Sequence, residues 1–424
     1  MGAFADIFQM FKVIGQGFIW FWWIVLPVAF FYILKTLWLD YVYVYSKWSY
    51  YSKLDYILLE VIPPREIEKS PKLMEPIFWA MAGVLTTYNT FDKWIDGKIV
   101  ANRFMLEMVG KEGEVHFYIR TERGYRNLIE AQIYAQYPEA QVREVEDYVK
   151  DFPKVIPNKE WDLWGSDMQL VMPDIYPIKT YEKFEEDITG RMIDPVGGMA
   201  EVMGTLGPGQ HIWMQFVIEP LHEVDTWKQE GANEVKKLAG RAVAEKKGVL
   251  GDLKDVLTHV HKGMLGPIEF PGAPKTNEQP LEFRLTPGEK ELLKAVEANL
   301  GLNHFKTKLR IIYLGRRGPN FSKGYVSSFM GAFKQFNDLN LNNFKPQDRS
   351  KTYANFVFRK TRADFRKRMI YRRYKSRNVD GVNVLFSLRE LATLFHFPDM
   401  DVKTPAVPRV DSRRGTAPAN LPIQ

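Results

Sequence analysis

An apolar segment close to the N-terminus constrains this chain more than any other feature. Residues 13–34 include no charged side chain, and a helix of this length rises about 33 Å. The hydrocarbon core of a bilayer is roughly 30 Å thick, so the segment is long enough to cross it. The sequence therefore predicts a transmembrane helix, with anchoring side chains expected to be Phe18, Trp20, Trp22, Trp23, Leu26, Pro27, Phe30, Phe31 and Leu34.

The residues that flank this segment predict how it sits in the membrane. Trp20, Trp22 and Trp23 lie near one end of the segment, and tryptophan and tyrosine are dense beyond its other end, which is typical of the membrane–water interface. Lys12 alone precedes the segment, whereas Lys35, Lys47 and Lys53 follow it. The positive-inside bias therefore predicts a cytoplasmic body behind a single-pass anchor formed by residues 1–53.

Two alternatives to an anchor remain for the same segment. A cleaved signal peptide is disfavoured, because the apolar run is long and aromatic and no A-x-A-like site follows it. A buried or interfacial hairpin is the other alternative. We expect the protein to reside in the cell membrane.

The rest of the sequence offers little material for catalysis. The chain has no cysteine, which excludes disulfides, thiol nucleophiles and thiolate metal sites. His259 and His261 would not share a helical face, and no third ligand lies near them in sequence. Gly315–Gly318 lacks the Lys-Ser/Thr pair of a phosphate loop, and no G-x-S-x-G motif is present. One acidic cluster is interpreted as a solvated strand edge: Glu144, Glu146 and Asp147. We therefore expect no enzymatic activity, no metal and no cofactor.

The body is predicted to be an α+β fold made of two ferredoxin-like (βαββαβ) units. In residues 54–150, strands and amphipathic helices follow the order that defines such a unit. The predicted elements of this unit are 55–62, 71–86, 103–109, 114–120, 123–136 and 140–146. Residues 160–318 repeat the order with an insertion at about 222–280. Their predicted elements are 166–172, 195–206, 210–219, 281–285, 287–300 and 305–314.

Capping residues followed by proline fix three of the predicted helix starts. They are Ser70-Pro71, Asp194-Pro195 and Thr286-Pro287. Proline suits the first helical position, because that position needs no backbone donor. Thr286 together with Glu289 also matches a capping box.

A helical, basic region is predicted over residues 319–402, followed by a proline-containing linker over 403–424. Its densest part, residues 359–377, would be a helix with apolar residues toward one side, namely Phe358, Phe365, Met369 and Ile370. The pattern suits an amphipathic helix that docks on protein or lies on anionic lipid, a contact with nucleic acid phosphates, or a solvated helix without a ligand. The residues alone leave these alternatives open. The candidate contact residues are Arg359, Lys360, Arg362, Arg366, Lys367, Arg368, Arg372, Arg373, Lys375 and Arg377.

Two segments near the C-terminus have the most specific sequences, ELATLFHFP within residues 385–399 and APANLP within residues 404–423. The other segments of interest are 66–81, 115–149, 163–185 and 209–220. Together these segments resemble the pre-motor N-terminal region of membrane-linked ATPases of the conjugative type IV secretion class in candidate-phyla bacteria. In that family an ATP-binding motor follows the last linker, whereas this sequence reaches Gln424 without a phosphate loop.

The resemblance implies a role as a scaffold or accessory subunit in DNA or protein translocation. ATPase activity would then belong to a separate motor chain, or this chain would be a truncated piece of such an ATPase. Implied partners are the membrane, a secretion ATPase, other secretion subunits, and DNA or anionic lipid at the basic helix, with homo-oligomers also expected. The alternative function is a self-assembling structural protein of the cell envelope.

Overall fold

The structure is a computed structural model that describes residues 22–24, 26–64, 71–84, 89, 91–92, 102–184, 194–221, 227–239, 285–318, 321–355, 357–398 and 408. The chain divides into two compact units. One contains Met1–Tyr56 and Leu85–Asn102, and the other contains Ile57–Val84 and Arg103–Gln424. We call the second unit the body.

In the N-terminal unit, helix α1 spans Trp22–Ser46. Among the described residues it is the one helix long and apolar enough to cross a membrane, with a mean hydropathy of 1.7. It extends beyond the predicted end at Leu34, includes a π-helical stretch at Trp38–Tyr43, and continues as helix Val44–Lys53. Of the predicted anchor residues, Phe18 and Trp20 lie outside the described residues. The other seven are exposed on α1, as a lipid-facing surface requires: Trp22, Trp23, Leu26, Pro27, Phe30, Phe31 and Leu34.

The body is built on a 9-stranded sheet with the order β4-β1-β3-β2-β6-β7-β5-β8, and β9 pairs with β7. The strands are β1 (Tyr56–Ile62), β2 (Phe104–Lys111), β3 (Glu114–Glu122), β4 (Gln141–Val145), β5 (Trp161–Leu170), β6 (Gln210–Pro220), β7 (His304–Arg316), β8 (Phe344–Pro346) and β9 (Val384–Ser387). Every pair with a described register is antiparallel. The β2–β6 pair joins the two predicted halves into one continuous sheet.

Alternation along the strands gives the sheet two different faces. Ile212, Met214 and Phe216 of β6 point into the larger apolar core. The helices on that face are α2 (Met74–Gly83), α3 (Arg126–Gln136), α4 (Gly197–Gly204), α7 (Lys323–Phe333) and α9 (Leu388–Leu394). Two further helices, α5 (Trp227–Leu238) and α6 (Pro287–Leu300), pack against each other.

The opposite face of the sheet is covered by fewer elements. Trp213 of β6 and Ile312 of β7 belong to a second apolar cluster there, together with the 3-10 turn Tyr148–Asp151. Helix α8 (Arg359–Lys375) completes this cover with three buried side chains, Ile370, Tyr371 and Tyr374. The basic helix predicted from sequence is therefore part of the body and packs on the sheet.

The predicted elements of the first half are confirmed with small changes at their ends. The predicted β2–β3 hairpin closes through Glu112 and Gly113, which both have positive φ, as a two-residue turn of this kind needs. The capping box at Thr286 and Glu289 is also present. Asp194 accepts hydrogen bonds from the backbone N–H of Val196 and Gly197 just before α4.

Several predictions for the second half need correction. β5 begins at Trp161 rather than at residue 166, because its early residues pair with the end of β7. The region from 319 is not only helical. It supplies β8, which pairs with the end of β5, and β9, which pairs with the start of β7. Of the strand predicted at 281–285, residues 281–284 lie outside the described residues, as do Ser70 and most of the insertion and the C-terminal linker.

Candidate functional site

The ten basic residues predicted as contacts fall into three groups in the structure. Arg359, Lys360, Arg362, Arg368 and Arg372 are exposed on or near α8. Four others are half-buried: Arg366, Lys367, Arg373 and Lys375. Arg377, just after the helix, is buried. The ten positions are therefore not equivalent as ligand contacts.

The half-buried cations hold neighbouring elements in place. Arg366 donates to the backbone oxygens of Lys351 (3.1 Å) and Tyr353 (2.7 Å). Lys367 donates to Asp162 of β5 at 2.6 Å. These contacts tie the N-terminal half of α8 to the sheet and to the preceding loop, so these two residues have a structural use.

Four cations on or near α8 have no such use. Among the described residues, no carboxylate lies within ion-pair distance of Arg359, Lys360, Arg368 or Arg372. Asp364, the acidic residue of the helix, lies four positions from Lys360 and from Arg368, but it forms no ion pair with either of them among the described contacts. This part of the surface is therefore strongly positive.

The predicted apolar side of the helix is wrong in part. Ile370 is buried, but Phe358 and Phe365 are exposed, and Met369 is half-buried. The helix docks instead through Ile370, Tyr371 and Tyr374, because its buried apolar contact with the sheet is confined to the C-terminal half. Aromatic rings therefore remain on the solvent side, next to the unpaired cations.

A groove of about 760 Å³ runs between α8 and the loop at Lys154–Ile156. Its walls include apolar atoms of Ile156 and Met369 and the exposed ring of Phe365. Its basic lining residues are Lys154, Arg368, Arg372 and Lys375, and none of the lining residues that the structure describes is Asp or Glu. We call it the C-terminal groove.

A second groove, of about 600 Å³, lies along the N-terminal half of α8. Trp164, Phe321 and Tyr353 contribute its aromatic lining. Its basic lining residues are Lys323, Lys351, Arg359, Lys360 and Lys367, and its described lining likewise contains no Asp or Glu. We call it the N-terminal groove. Sequence reasoning missed Lys154, Lys323 and Lys351, since they come from separate loops and elements.

A row of buried polar residues lies under the C-terminal end of α8. Glu107, Gln215, Arg310 and Asp167 face one another directly across four neighbouring strands. Gln215 donates to Glu107 at 2.7 Å, and Arg310 donates to Gln215 at 3.1 Å and to Asp167 at 2.8 Å. We call these four residues the polar row.

The polar row binds the end of α8 through its backbone. Arg310 donates to the carbonyl oxygens of Arg373 (3.0 Å) and Asn378 (3.1 Å), and Gln215 donates to that of Tyr374 at 3.3 Å. A helix leaves its last carbonyl groups without partners, and a cation there also meets the negative end of the helix dipole. Burial lowers the pKa of Arg310, while Asp167 acts in the opposite direction.

Arg377 links this helix end to two carboxylates. Its guanidinium donates to Glu107 at 3.0 and 3.3 Å and to Asp147 at 2.5 and 2.9 Å. Burial alone would lower the pKa of Arg377, but the charges of Glu107 and Asp147 raise it well above its usual value. Burial likewise opposes ionisation of Asp147, yet Arg377 holds the pKa of that carboxyl below its usual range.

Two tyrosines close this network. Tyr148 donates to Glu107 at 2.8 Å, and its hydroxyl lies 2.7 Å from that of Tyr374. Burial raises the pKa of both well above the usual value, so both stay neutral. The end of α8 is thus fixed by charge-assisted hydrogen bonds in a dry environment, which are stronger than those in water.

Sequence reasoning missed the polar row, although a signal was present. Glu107 and Gln215 are each a polar residue inside a largely apolar strand, whereas Arg310 and Asp167 lie in strands of mixed composition and gave no such signal. Asp147 was interpreted as part of a solvated edge, and this is wrong for its carboxylate, which is bound by Arg377. In the part of the chain that the structure describes, no group of three or more His, Cys, Asp or Glu is placed to hold a metal ion.

Comparison with protein families gives one result. Residues 58–409 match a family described as a domain of unknown function, DUF8128. No curated protein matches the chain. Because the matched region covers the described sheet, α8 and the polar row, the body of this chain belongs to the DUF8128 family.

Proposed function

We propose that this protein is a membrane-anchored, non-catalytic scaffold subunit of a type IV secretion-like translocation machine, and that the α8 surface contacts an anionic partner. The observation that carries the proposal is a pair of basic grooves that contain four unpaired cations and have no Asp or Glu among the lining residues that the structure describes. Uncompensated positive charge in a concave surface concentrates anions and speeds their association.

The membrane part of the proposal rests on α1. Its apolar surface is fully exposed, and its length suits a bilayer span. The lysines that follow the apolar segment support a body on the cytoplasmic side of the cell membrane. Such a tether would hold the α8 surface within reach of other membrane-bound subunits.

We further propose that the body derives from two ferredoxin-like units fused through the β2–β6 pair. The order β4-β1-β3-β2, with α2 after β1 and α3 after β3, supports the first unit. β5, α4, β6, α6 and β7 support the second, although β7 there lies between β6 and β5. The edge strands β4 and β8 offer surfaces for pairing with other chains.

The scaffold role implies partners that supply what this chain lacks. A separate secretion ATPase would provide the energy, and other secretion subunits or further copies of this chain would bind to the body. The substrate in a conjugation-like machine would be DNA, which is anionic. This substrate is consistent with the charge of α8, and no cofactor is needed for such a role.

The experiment is a pull-down of the full-length protein extracted from membranes, read by mass spectrometry. The proposal expects a phosphate-loop ATPase and other secretion components to be recovered with it. A parallel pull-down uses Arg368→Glu/Arg372→Glu, with Lys290→Glu/Lys294→Glu on α6 as the matched control. Both pairs are exposed, four residues apart on a helix, and change the net charge equally.

Either outcome is informative for the scaffold role. Recovery of the ATPase with wild type supports the proposal. Recovery of this chain alone, in large assemblies, would overturn it and favour the self-assembling envelope protein. An anionic partner is supported if recovery of any partner, or retention on heparin, falls in the α8 variant and stays unchanged in the control.

A further inference from the structure

We propose that the anionic partner of the α8 surface is single-stranded nucleic acid, with phosphates on the unpaired cations and bases stacked on the exposed aromatic rings. This inference rests on the anionic partner proposed above and names its chemical class. The steps below concern the rings, the grooves, the docking of the helix and its rigidity.

The first step is the exposure of aromatic rings among unpaired cations. Phe365 is 64% exposed, Phe358 77% and Tyr353 59%. Phe365 lies in the same groove lining as Arg368 and Arg372, and Tyr353 lies in that of Arg359 and Lys360. Proteins that bind single strands without base readout combine a basic groove with aromatic side chains on which the bases stack.

The second step distinguishes a single strand from a duplex. In a duplex the bases are stacked inside, so the rings of Phe365 and Tyr353 would meet only the sugar–phosphate backbone. A single strand exposes its base faces and is flexible enough to follow a groove. The C-terminal groove combines the buried Ile156 and the half-buried Met369 with the exposed cations Arg368 and Arg372, and this combination suits bases on the apolar atoms and phosphates on the cations.

The third step distinguishes a nucleic acid from a lipid surface. A helix that lies on a membrane inserts one continuous apolar face into the bilayer. The continuous apolar face of α8, formed by Ile370, Tyr371 and Tyr374, is already buried against the sheet. The exposed ring of Phe365 instead lies in a concave lining shared with Arg368 and Arg372. This arrangement presents separate rings between charges, which matches a strand of alternating bases and phosphates.

The fourth step is that the surface is rigid before a ligand arrives. The C-terminal end of α8 is fixed by Arg310, Gln215 and Arg377, and the N-terminal half by Arg366 and Lys367. A surface that is already ordered loses less conformational entropy on binding. Arg368, Arg372 and Phe365 are therefore presented on a scaffold that needs no rearrangement.

The test uses the full-length protein in nanodiscs of zwitterionic lipid and follows the fluorescence anisotropy of a labelled oligothymidylate as salt is varied. We expect the single strand to bind at least about tenfold more tightly than a duplex of equal length, because stacking on even one ring contributes that much. Arg368→Gln/Arg372→Gln should lower the slope of log K against log salt by about 1.4, since each lost contact to a single strand removes about 0.7. The control Lys290→Gln/Lys294→Gln should leave the slope unchanged.

A second variant pair tests stacking separately from charge. Phe365→Leu should weaken oligothymidylate binding by about tenfold, whereas Phe365→Trp should retain it, because only an aromatic ring can stack on a base. Leucine would serve a lipid contact as well as phenylalanine does. Both substitutions are at an exposed position, and unchanged thermal melting would show that they leave the fold intact.

The outcomes separate this inference from the proposal beneath it. Equal affinity for the duplex, or wild-type binding by Phe365→Leu, would overturn the single-strand inference. Sedimentation of the nanodiscs with phosphatidylserine vesicles, lost in Arg368→Gln/Arg372→Gln but kept in Phe365→Leu, would replace nucleic acid with lipid and leave the anionic partner standing. Absence of binding to oligothymidylate, duplex and vesicles alike would overturn both.

Discussion

Replacing Arg377 with methionine should destabilise the body more than any other single substitution near α8. Arg377 is 3% exposed, and its guanidinium contacts the carboxylates of Glu107 and Asp147, of which Glu107 is 0% exposed. Asp147 is partly exposed and can regain water when Arg377 is lost, whereas Glu107 cannot. Glu107 would keep its hydrogen bonds from Gln215 and Tyr148 but lose its charged partner.

The size of the effect follows from this difference. Removing one partner of a buried ion pair leaves a charge without compensation and costs about 3–5 kcal/mol of unfolding free energy. Because two donors to Glu107 remain, we expect the unfolding free energy to fall by about 3 kcal/mol. The change also frees the C-terminal end of α8, so the second apolar cluster should be the first region to open.

The assay is urea unfolding of the detergent-extracted full-length protein, followed by tryptophan fluorescence. Trp213 is a suitable reporter, because its ring centroid lies 5.3 Å from that of Tyr148 and 5.2 Å from that of Tyr374. Arg372→Met, in the last turn of α8, is the matched control, and its exposed position predicts a change within about 0.5 kcal/mol. The double variant Glu107→Gln/Arg377→Met should be more stable than Arg377→Met alone, since it removes the buried charge.

Two results would refute this reasoning. If Arg377→Met costs no more than Arg372→Met, then the ion pairs beneath α8 do not contribute as their burial suggests. If Glu107→Gln fails to recover any stability in the Arg377→Met background, then the cost does not come from an uncompensated Glu107. In either case the rigidity assigned to α8 would lose its basis.

Three further predictions concern groups away from α8, each measured by urea unfolding. Burial lowers the pKa of His211 to about 4, so the contribution of His211 to stability is lost as pH falls from 6.5 toward 4. His211→Phe keeps a ring against Trp213 and should reduce the loss of unfolding free energy between pH 7 and pH 5 by about 2 kcal/mol. An unchanged loss of unfolding free energy would contradict this prediction. Burial raises the pKa of Glu390 to about 7, so the pH dependence of its contribution has the opposite sign: the contribution is fully present below pH 4.5 and is lost as pH rises through 7. The wild type should therefore gain about 2 kcal/mol of unfolding free energy from this group between pH 7 and pH 5, and Glu390→Gln should remove that gain. An undiminished gain in the variant would speak against this prediction. Gly110→Ala should lower the unfolding free energy by about 1–3 kcal/mol, since a Cβ there would lie 2.8 Å from Met203. Gly124→Ala is the control, because nothing lies within 4 Å of the added carbon. Equal effects of the two substitutions would show that crowding is not the cause.

Much of the fold was predictable, because its signals are local. The strands of the first half follow from short, mostly apolar runs, and α6 begins after its N-cap Thr286 because a capping box needs only residues three positions apart. The β2–β3 hairpin follows from Gly113 in the same way. The prediction was poorer where pairing is distant. β9 is four residues long and is held by the start of β7, so nothing in its own sequence distinguishes it from a loop.

The candidate site was predictable as a composition and not as an arrangement. The density of Lys and Arg in residues 359–377 marked the right helix, and Lys154, Lys323 and Lys351 joined it only through the fold. Phe365 was assigned to a docking face, because helical periodicity shows which residues share a side but not which side meets the sheet. The exposed ring is a finding of the tertiary structure.

The sequence by itself determined an apolar span, an α+β body and a strongly basic helix, since each depends on neighbours within a few positions. It could not separate Arg372 from Arg377, which have the same side chain and lie five positions apart. Only the tertiary structure decided that one is exposed and unpaired while the other lies on Glu107, 270 positions away in the chain. The physical reason is that a charge takes its role from the solvent and the countercharges around it, and chain folding brings those from distant strands.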